Sequence, residues 1–258
     1  MAQGFPDHFS SSAAAYAAHR PTYPEALIDC LARATARHEL AWEPGCGSGQ
    51  LASALRRRFA RVIATDASAA QLALAVPQPG LEYRCELAEE PSLASGSVDL
   101  VVAAQAAHWF AAERFAAAVA RVARPGAAIA YVGYGRPTFV LEPDDAAGRG
   151  MAAAFDALRD GVLGAFWPPE RAHVEAGYRT LPFPWPELPA PSLVIEREFG
   201  FAELAGYVST WSSARACRGA GAGPALDAAL AALGAACERL GAPRRLRWPI
   251  LLRLGRAA

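Results

Sequence analysis

Between residues 38 and 133, short apolar runs alternate with longer stretches in which apolar side chains recur every three or four positions. Runs of the first kind suit strands covered on both faces, and stretches of the second kind suit helices packed along one side. The pattern predicts strands at 38–43, 61–65, 81–87, 98–103 and 127–132, with helices at 50–59, 67–75 and 111–123 filling the gaps. The last of these helices is expected to stop at Arg124-Pro125-Gly126, a breaker that also puts positive charge at the helix C-terminus. Such alternation implies parallel strands joined by crossover helices, an α/β fold with helices on both faces of the sheet.

Upstream, 11–19 reads as a short helix that Arg20-Pro21-Thr22-Tyr23-Pro24 breaks before a second helix at 25–36. Residues 1–37 thus form a helical segment ahead of a core at 38–137. Helical periodicity returns at 143–163, but 166–191 is thick with proline and aromatic side chains, too rich in breakers for a regular layer. We read 138–191 as a small cap inserted late in the fold. The remainder, 192–258, returns to the sheet, with a strand at 192–199, helices around 202–212 and 223–240, and a last strand at 246–254.

At 258 residues and 53% hydrophobic, the chain can bury one large core with a smaller attachment. Its 25 basic side chains balance 25 acidic ones, so no uniform field attracts a phosphate backbone or an anionic membrane. Nucleic-acid and membrane partners are disfavoured accordingly. Lysine is absent, so arginine carries all the fixed positive charge of the side chains. Residues 1–20 lack the basic start and apolar stretch of a signal peptide, and no segment approaches the ~18 uninterrupted apolar residues of a membrane span. The five cysteines are scattered without C-x-x-C spacing. We expect no metal site, reduced thiols, a cytoplasmic location, and a monomer or homodimer.

The most informative stretch is Glu43-Pro44-Gly45-Cys46-Gly47-Ser48-Gly49, placed after an apolar strand and directly before a helix. Three alternating glycines suit a loop that reverses tightly and meets a ligand with bare backbone, while the amides opening the next helix can receive a carboxylate. Glu43 supplies a negative charge for an ammonium, and a bound amino acid has both groups. Asp66 closes the second strand, where a carboxylate can accept both hydroxyls of a ribose. An amino acid joined to a ribose describes S-adenosylmethionine. Gly47-Ser48-Gly49-Gln50-Leu51-Ala52 is also a degenerate dinucleotide fingerprint, which keeps a nicotinamide oxidoreductase as an alternative. Against it stand Glu43, of the wrong charge for a pyrophosphate, and Gln50, which spoils the match in the register of Gly45.

With Ala88-Glu89 and Gln105-Ala106-Ala107-His108-Trp109-Phe110, these residues resemble the class I S-adenosylmethionine-dependent methyltransferases, and within them the trans-aconitate methyltransferase group. The resemblance starts at Tyr16 and runs to Gly133, with a weaker echo at 173–184. It implies a Rossmann-like sheet with two antiparallel C-terminal strands, an N-terminal helical lid, and a small inserted cap on the substrate side. By the same resemblance, Gly45, Cys46, Gly47 and Gly49 line the methionine part and Glu43 orders their loop. Asp66 and Ala67 take the ribose, Ala88 and Glu89 the adenine, and Gln105 faces the sulfonium region. Many relatives have aspartate where Glu43 stands, a change that keeps the charge and lengthens the reach.

Methyl transfer from a sulfonium is an in-line displacement that leaves a neutral thioether, so the protein contributes alignment and water exclusion. A carboxylate acceptor is already ionised at neutral pH, whereas a phenol or amine profits from a general base. His108 and Trp109 follow the fourth strand, on the ligand side of an open α/β sheet, and are the candidates to border the transferred methyl. His108 can equally cap the following helix or bond within the core. Tyr16 and Arg20, in the lid, are candidates to hold the methionine carboxylate or an acidic substrate. Phe166, Trp167, Tyr178 and Trp211 are candidates to wall the substrate pocket, with Arg171, Arg179 or Arg215 available to an anion. The expected function is methylation of a small molecule at a carboxylate or hydroxyl, with a non-catalytic S-adenosylmethionine-binding protein as a further alternative.

Overall fold

The computed structural model describes residues 19–258. Tyr16 and the helix expected at 11–19 therefore lie outside the described residues, apart from the last position of that helix. The first described helix, α1 (Glu25–Arg33), leads into β1 (Leu40–Pro44), α2 (Gln50–Leu55), β2 (Arg61–Asp66), α3 (Ala69–Leu72), β3 (Leu81–Cys85) and β4 (Val98–Ala104). Next come a 3-10 turn (Ala107–Trp109), α4 (Ala112–Val122), β5 (Ala123–Tyr134) and β6 (Thr138–Phe139). The chain then forms α5 (Ala146–Asp156), which opens into a π-helical turn (Ala157–Val162), and α6 (Arg171–Glu175). It closes with β7 (Val194–Phe199), α7 (Phe201–Ser209), α8 (Ser212–Gly219), α9 (Gly223–Leu240) and β8 (Arg244–Arg256).

The sheet runs β3-β2-β1-β4-β5-β8, with the first five strands parallel and β8 antiparallel to β5. Arg247 of β8 pairs with Thr138 of β6 and with Glu196 of β7, so the early half of β8 lies between those two short strands. Alternation along β5 shows how both faces are covered. Ala128, Ala130, Val132 and Tyr134 join the core shared with α1, α2, α5 and α9, while Ala127, Ile129 and Tyr131 join the core shared with α4.

Three expectations shift in the folded chain. Arg124-Pro125-Gly126 ends α4 as expected, but β5 already starts at Ala123 and absorbs the breaker as a bulge, with Val98 opposite Ala123 and Leu100 opposite Ala128. Arg124 turns back to Asp99 at 2.5 Å, whose other oxygen takes the backbone N–H groups of Glu39 and Leu40. The helix of the 25–36 region is a core element, with Leu27, Ile28 and Leu31 fully buried, and the overhang above the sheet comes from Arg20, Pro21 and Tyr23. The 138–191 region is woven into both cores, through Met151, Phe155 and Leu158 on one face and Val174, Tyr178 and Trp185 on the other. No helix among the described residues is long and apolar enough to cross a membrane.

Candidate active site

The parallel strands end along one edge, and the loops leaving β1, β2, β3 and β4 enclose a cavity of about 1250 Å³. It lies where the order reverses between β1 and β4, the place an open α/β sheet leaves a crevice. A second chamber of about 70 Å³ adjoins it, and Arg20, Gln105, Trp109 and Tyr134 line both.

The glycine loop is fixed by two carboxylates. Asp66 Oδ2 accepts the Gly47 N–H at 2.8 Å and Oδ1 accepts the Ser68 N–H at 2.8 Å, which ties the loop after β1 to the end of β2. Glu43 is 2% exposed. The Ala52 backbone N–H, in the first turn of α2, donates to its carboxylate, while Oε2 has no partner among the described residues. Burial pushes its carboxyl well above the usual carboxylate range; the Ala52 N–H works against that shift and the Asp66 charge adds to it. An ammonium at Oε2 would restore the ionised form, because a buried charge persists when paired.

The three glycines have different reasons to be glycine. A side chain on Gly45 would come within 2.5 Å of the Ala106 methyl, so the loops after β1 and β4 touch there. Gly49, with φ +80, is the N-cap of α2, and a Cβ on it would strike the Tyr83 ring and hydroxyl. Gly47, with φ +56, faces open space, its nearest neighbour being Gln71 Oε1 at 3.7 Å. Gly45, Cys46 and Gly47 line the large cavity, while Gly49 packs behind it. Cys46 is buried beside Glu43 and Asp66; burial first, then those charges, hold its thiol protonated.

Asp66, Ala67, Ala88 and Glu89 line the same cavity on the β2 and β3 side, and Glu89 Oε1 accepts the Ala111 N–H at 2.7 Å. Arg20 reaches in from above, donating to the Tyr134 hydroxyl at 2.9 Å and the Thr210 carbonyl at 3.0 Å. Gln105, just past β4, has a left-handed φ of +55 that a side chain rarely adopts, with its N–H on the Val132 carbonyl at 2.7 Å. A non-glycine residue strained at a cavity junction is the kind of outlier that clusters at functional sites.

His108 and Trp109 separate in role. Trp109 borders both spaces, whereas His108 lines only the small chamber, its ring 4.7 Å from the Trp109 ring and 6.2 Å from the Tyr178 ring. Burial, with help from His173 and Arg171, lowers the His108 pKa to about 3. The imidazole is therefore neutral at physiological pH.

Of the residues singled out for the acceptor side, Trp167, Trp211 and Arg171 line the chamber; Tyr178 is fully buried with its hydroxyl on the Val132 carbonyl, and Phe166, Arg179 and Arg215 are not in its wall. Arg159, Tyr134 and Tyr207 line it without having stood out in the sequence. Arg159 had left a signal: it continues the apolar face of Met151 and Phe155 at helical spacing, where a charge is out of place.

A family model described as a methyltransferase domain matches residues 42–131. A solved structure from Anaeromyxobacter dehalogenans, assigned as a type II methyltransferase, is 43% identical over 92% of this chain and 97% of that one, with a TM-score of 0.80. The chain belongs to the class I S-adenosylmethionine-dependent methyltransferases. A Dictyostelium discoideum protein assigned as a methyltransferase is 29% identical over 209 residues, 81% of this chain and 78% of the relative. An uncharacterised methyltransferase of Mycobacterium tuberculosis is 39% identical over 125 residues, about half of each chain (48% and 51%). Membership of this family replaces the nicotinamide and non-catalytic alternatives and makes S-adenosylmethionine the cofactor. The buried, unpartnered Glu43 oxygen, the open face of Gly47 and the Asp66 carboxylate in the cavity wall fit its ammonium, its chain and its ribose.

Proposed function

We propose that this methyltransferase O-methylates a small molecule at a carboxylate. The observation that carries the reading is the lowered pKa of His108, about 3, in a chamber wall that holds no other histidine, lysine or carboxylate among the described residues. A hydroxyl or phenol needs a base with a pKa near the working pH to take its proton, and an imidazole so far depressed is a poor one. A carboxylate arrives ionised and needs none.

When bound, S-adenosylmethionine supplies an electrophilic methyl on a sulfonium whose departure leaves a neutral thioether, so no acid is required either. The residues of the chain bind and align. Glu43 would hold the ammonium, Asp66 the ribose hydroxyls, and Glu89 would border the adenine. Gln105 and Trp109, at the junction, would set the line between sulfur, methyl and acceptor oxygen, while Tyr23, Tyr134 and Arg20 cover it from above and exclude water.

The experiment is a screen of small acids and hydroxylated metabolites with methyl-labelled S-adenosylmethionine, followed by mild alkali. A methyl ester releases labelled methanol and a methyl ether does not. Label that survives alkali would refute the carboxylate reading.

A further inference from the structure

The wall of the 70 Å³ chamber carries three guanidinium groups, from Arg20, Arg159 and Arg171, and no carboxylate among the described residues. Arg159 is 6% exposed, an unusual burial for arginine, and sits in the π-helical turn that continues α5. Wide turns of this kind occur often at functional sites. Its partners lie behind it: Asp160, and Glu175 at 3.3 Å, which also takes Arg171 Nε at 3.0 Å. One exposed carboxylate oxygen thus serves two guanidinium groups. Trp167 lies under both, with the Arg171 centre 3.9 Å and the Arg159 centre 5.7 Å from its ring, and Arg159 takes the indole N–H on its carbonyl at 3.2 Å. The stack restrains both planar groups against one ring.

We propose that Arg159 and Arg171 form an anchoring subsite for one oxyanion of the acceptor, a group that is held there and not methylated. The inference rests on the methyl-transfer site at the Gln105–Trp109 junction and adds a second requirement on the substrate. Size supports it, because an apolar cavity of about 150 Å³ is what accommodates a benzene ring, and this chamber, at about 70 Å³, has room for a single carboxylate-sized group. The rest of the acceptor must then extend through the junction toward the large cavity. Guanidinium forks fit carboxylate and tetrahedral phospho or sulfo oxyanions alike. His108, neutral and with Nδ1 unpartnered, adds a hydrogen-bonding group without repelling cation or anion.

The test uses the protein loaded with S-adenosylhomocysteine and reads tryptophan fluorescence while acetate, sulfate or neutral acetamide is added. Saturable quenching by acetate or sulfate, and none by acetamide, is expected, and the tighter of the two anions names the class of anchored group. Arg171→Gln should weaken the anion by about tenfold, the scale of one charge-assisted bond, while leaving S-adenosylhomocysteine affinity by calorimetry unchanged. Arg57→Gln, in the exposed turn that follows α2, should change neither. Equal responses to acetate and acetamide, or unchanged anion binding in a folded Arg171→Gln, would overturn the subsite. Should that variant fail to fold, the wild-type comparison of acetate with acetamide still decides. No transfer occurs in the assay, so an acceptor that proves to be a hydroxyl leaves it intact.

Discussion

Asp66→Ala is expected to damage the empty protein as well as its affinity for cofactor. Asp66 is 9% exposed, and its two oxygens each take a backbone N–H at 2.8 Å, from Gly47 and Ser68. Hydrogen bonds to a charged acceptor contribute about 1.5–3 kcal/mol each, and a donor left facing a cavity recovers part of this from water. A net loss of about 2–4 kcal/mol follows, which at about 2–4 °C per kcal/mol for a chain of this size lowers the melting temperature by about 4–16 °C. Asp66→Asn keeps one acceptor oxygen and should fall between the two. Scanning calorimetry of the ligand-free proteins measures the shift, and titration with S-adenosylhomocysteine should show a further loss from the ribose contacts. A ligand-free melting temperature within about 2 °C of wild type would mean that the clamp contributes little, and that the carboxylate acts on the ligand alone.

Gly47→Ala should cost about 1–2 kcal/mol from the left-handed backbone alone yet abolish cofactor binding, whereas Gly49→Ala should unfold or strongly destabilise the chain through Tyr83; melting and titration of both variants distinguish the two. Because the Glu43 carboxyl is raised in the ligand-free fold, its stabilising contribution is present below the ordinary 4.5 and lost as pH rises through the raised value. Glu43→Gln should remove that decline, and wild-type cofactor binding should release a proton, seen as a buffer-dependent heat in calorimetry; buffer-independent heats would refute the assignment. The His108 pKa is lowered from 6.5 to about 3, so its contribution is present above 6.5 and lost as pH falls toward about 3, a slope that His108→Asn should flatten. The same depression predicts no acid limb near 6.5 in the pH–rate profile with an acid substrate, and a limb there that vanished in His108→Asn would make the imidazole a base.

The strands and helices from 38 to 133 were legible because each buries an apolar run or stripe of its own, a local property that neighbours do not have to supply. The start of β5 is an exception with a tertiary cause. β5 starts at Ala123 although Arg124-Pro125-Gly126 is a valid breaker, because Arg124 pairs with the buried Asp99 on the adjacent strand and holds the irregular stretch in the sheet. No periodicity within 123–126 carries that information.

The cofactor side was written in the sequence, since glycines at 45, 47 and 49 and acids at 43 and 66 act through the backbone next to them, and a strand followed by a loop and a helix presents them in one way. What each glycine does was decided elsewhere: Gly45 by Ala106, Gly49 by Tyr83, and Gly47 by the space left open in front of it. The acceptor side required the tertiary structure. Arg159, Arg171 and Tyr207 come from a π-helical turn, α6 and α7, and only packing brings them around one chamber. The state of His108 is decided in the same way, because an imidazole is cationic or neutral according to what buries it and which charges surround it, and both are fixed only once distant segments meet.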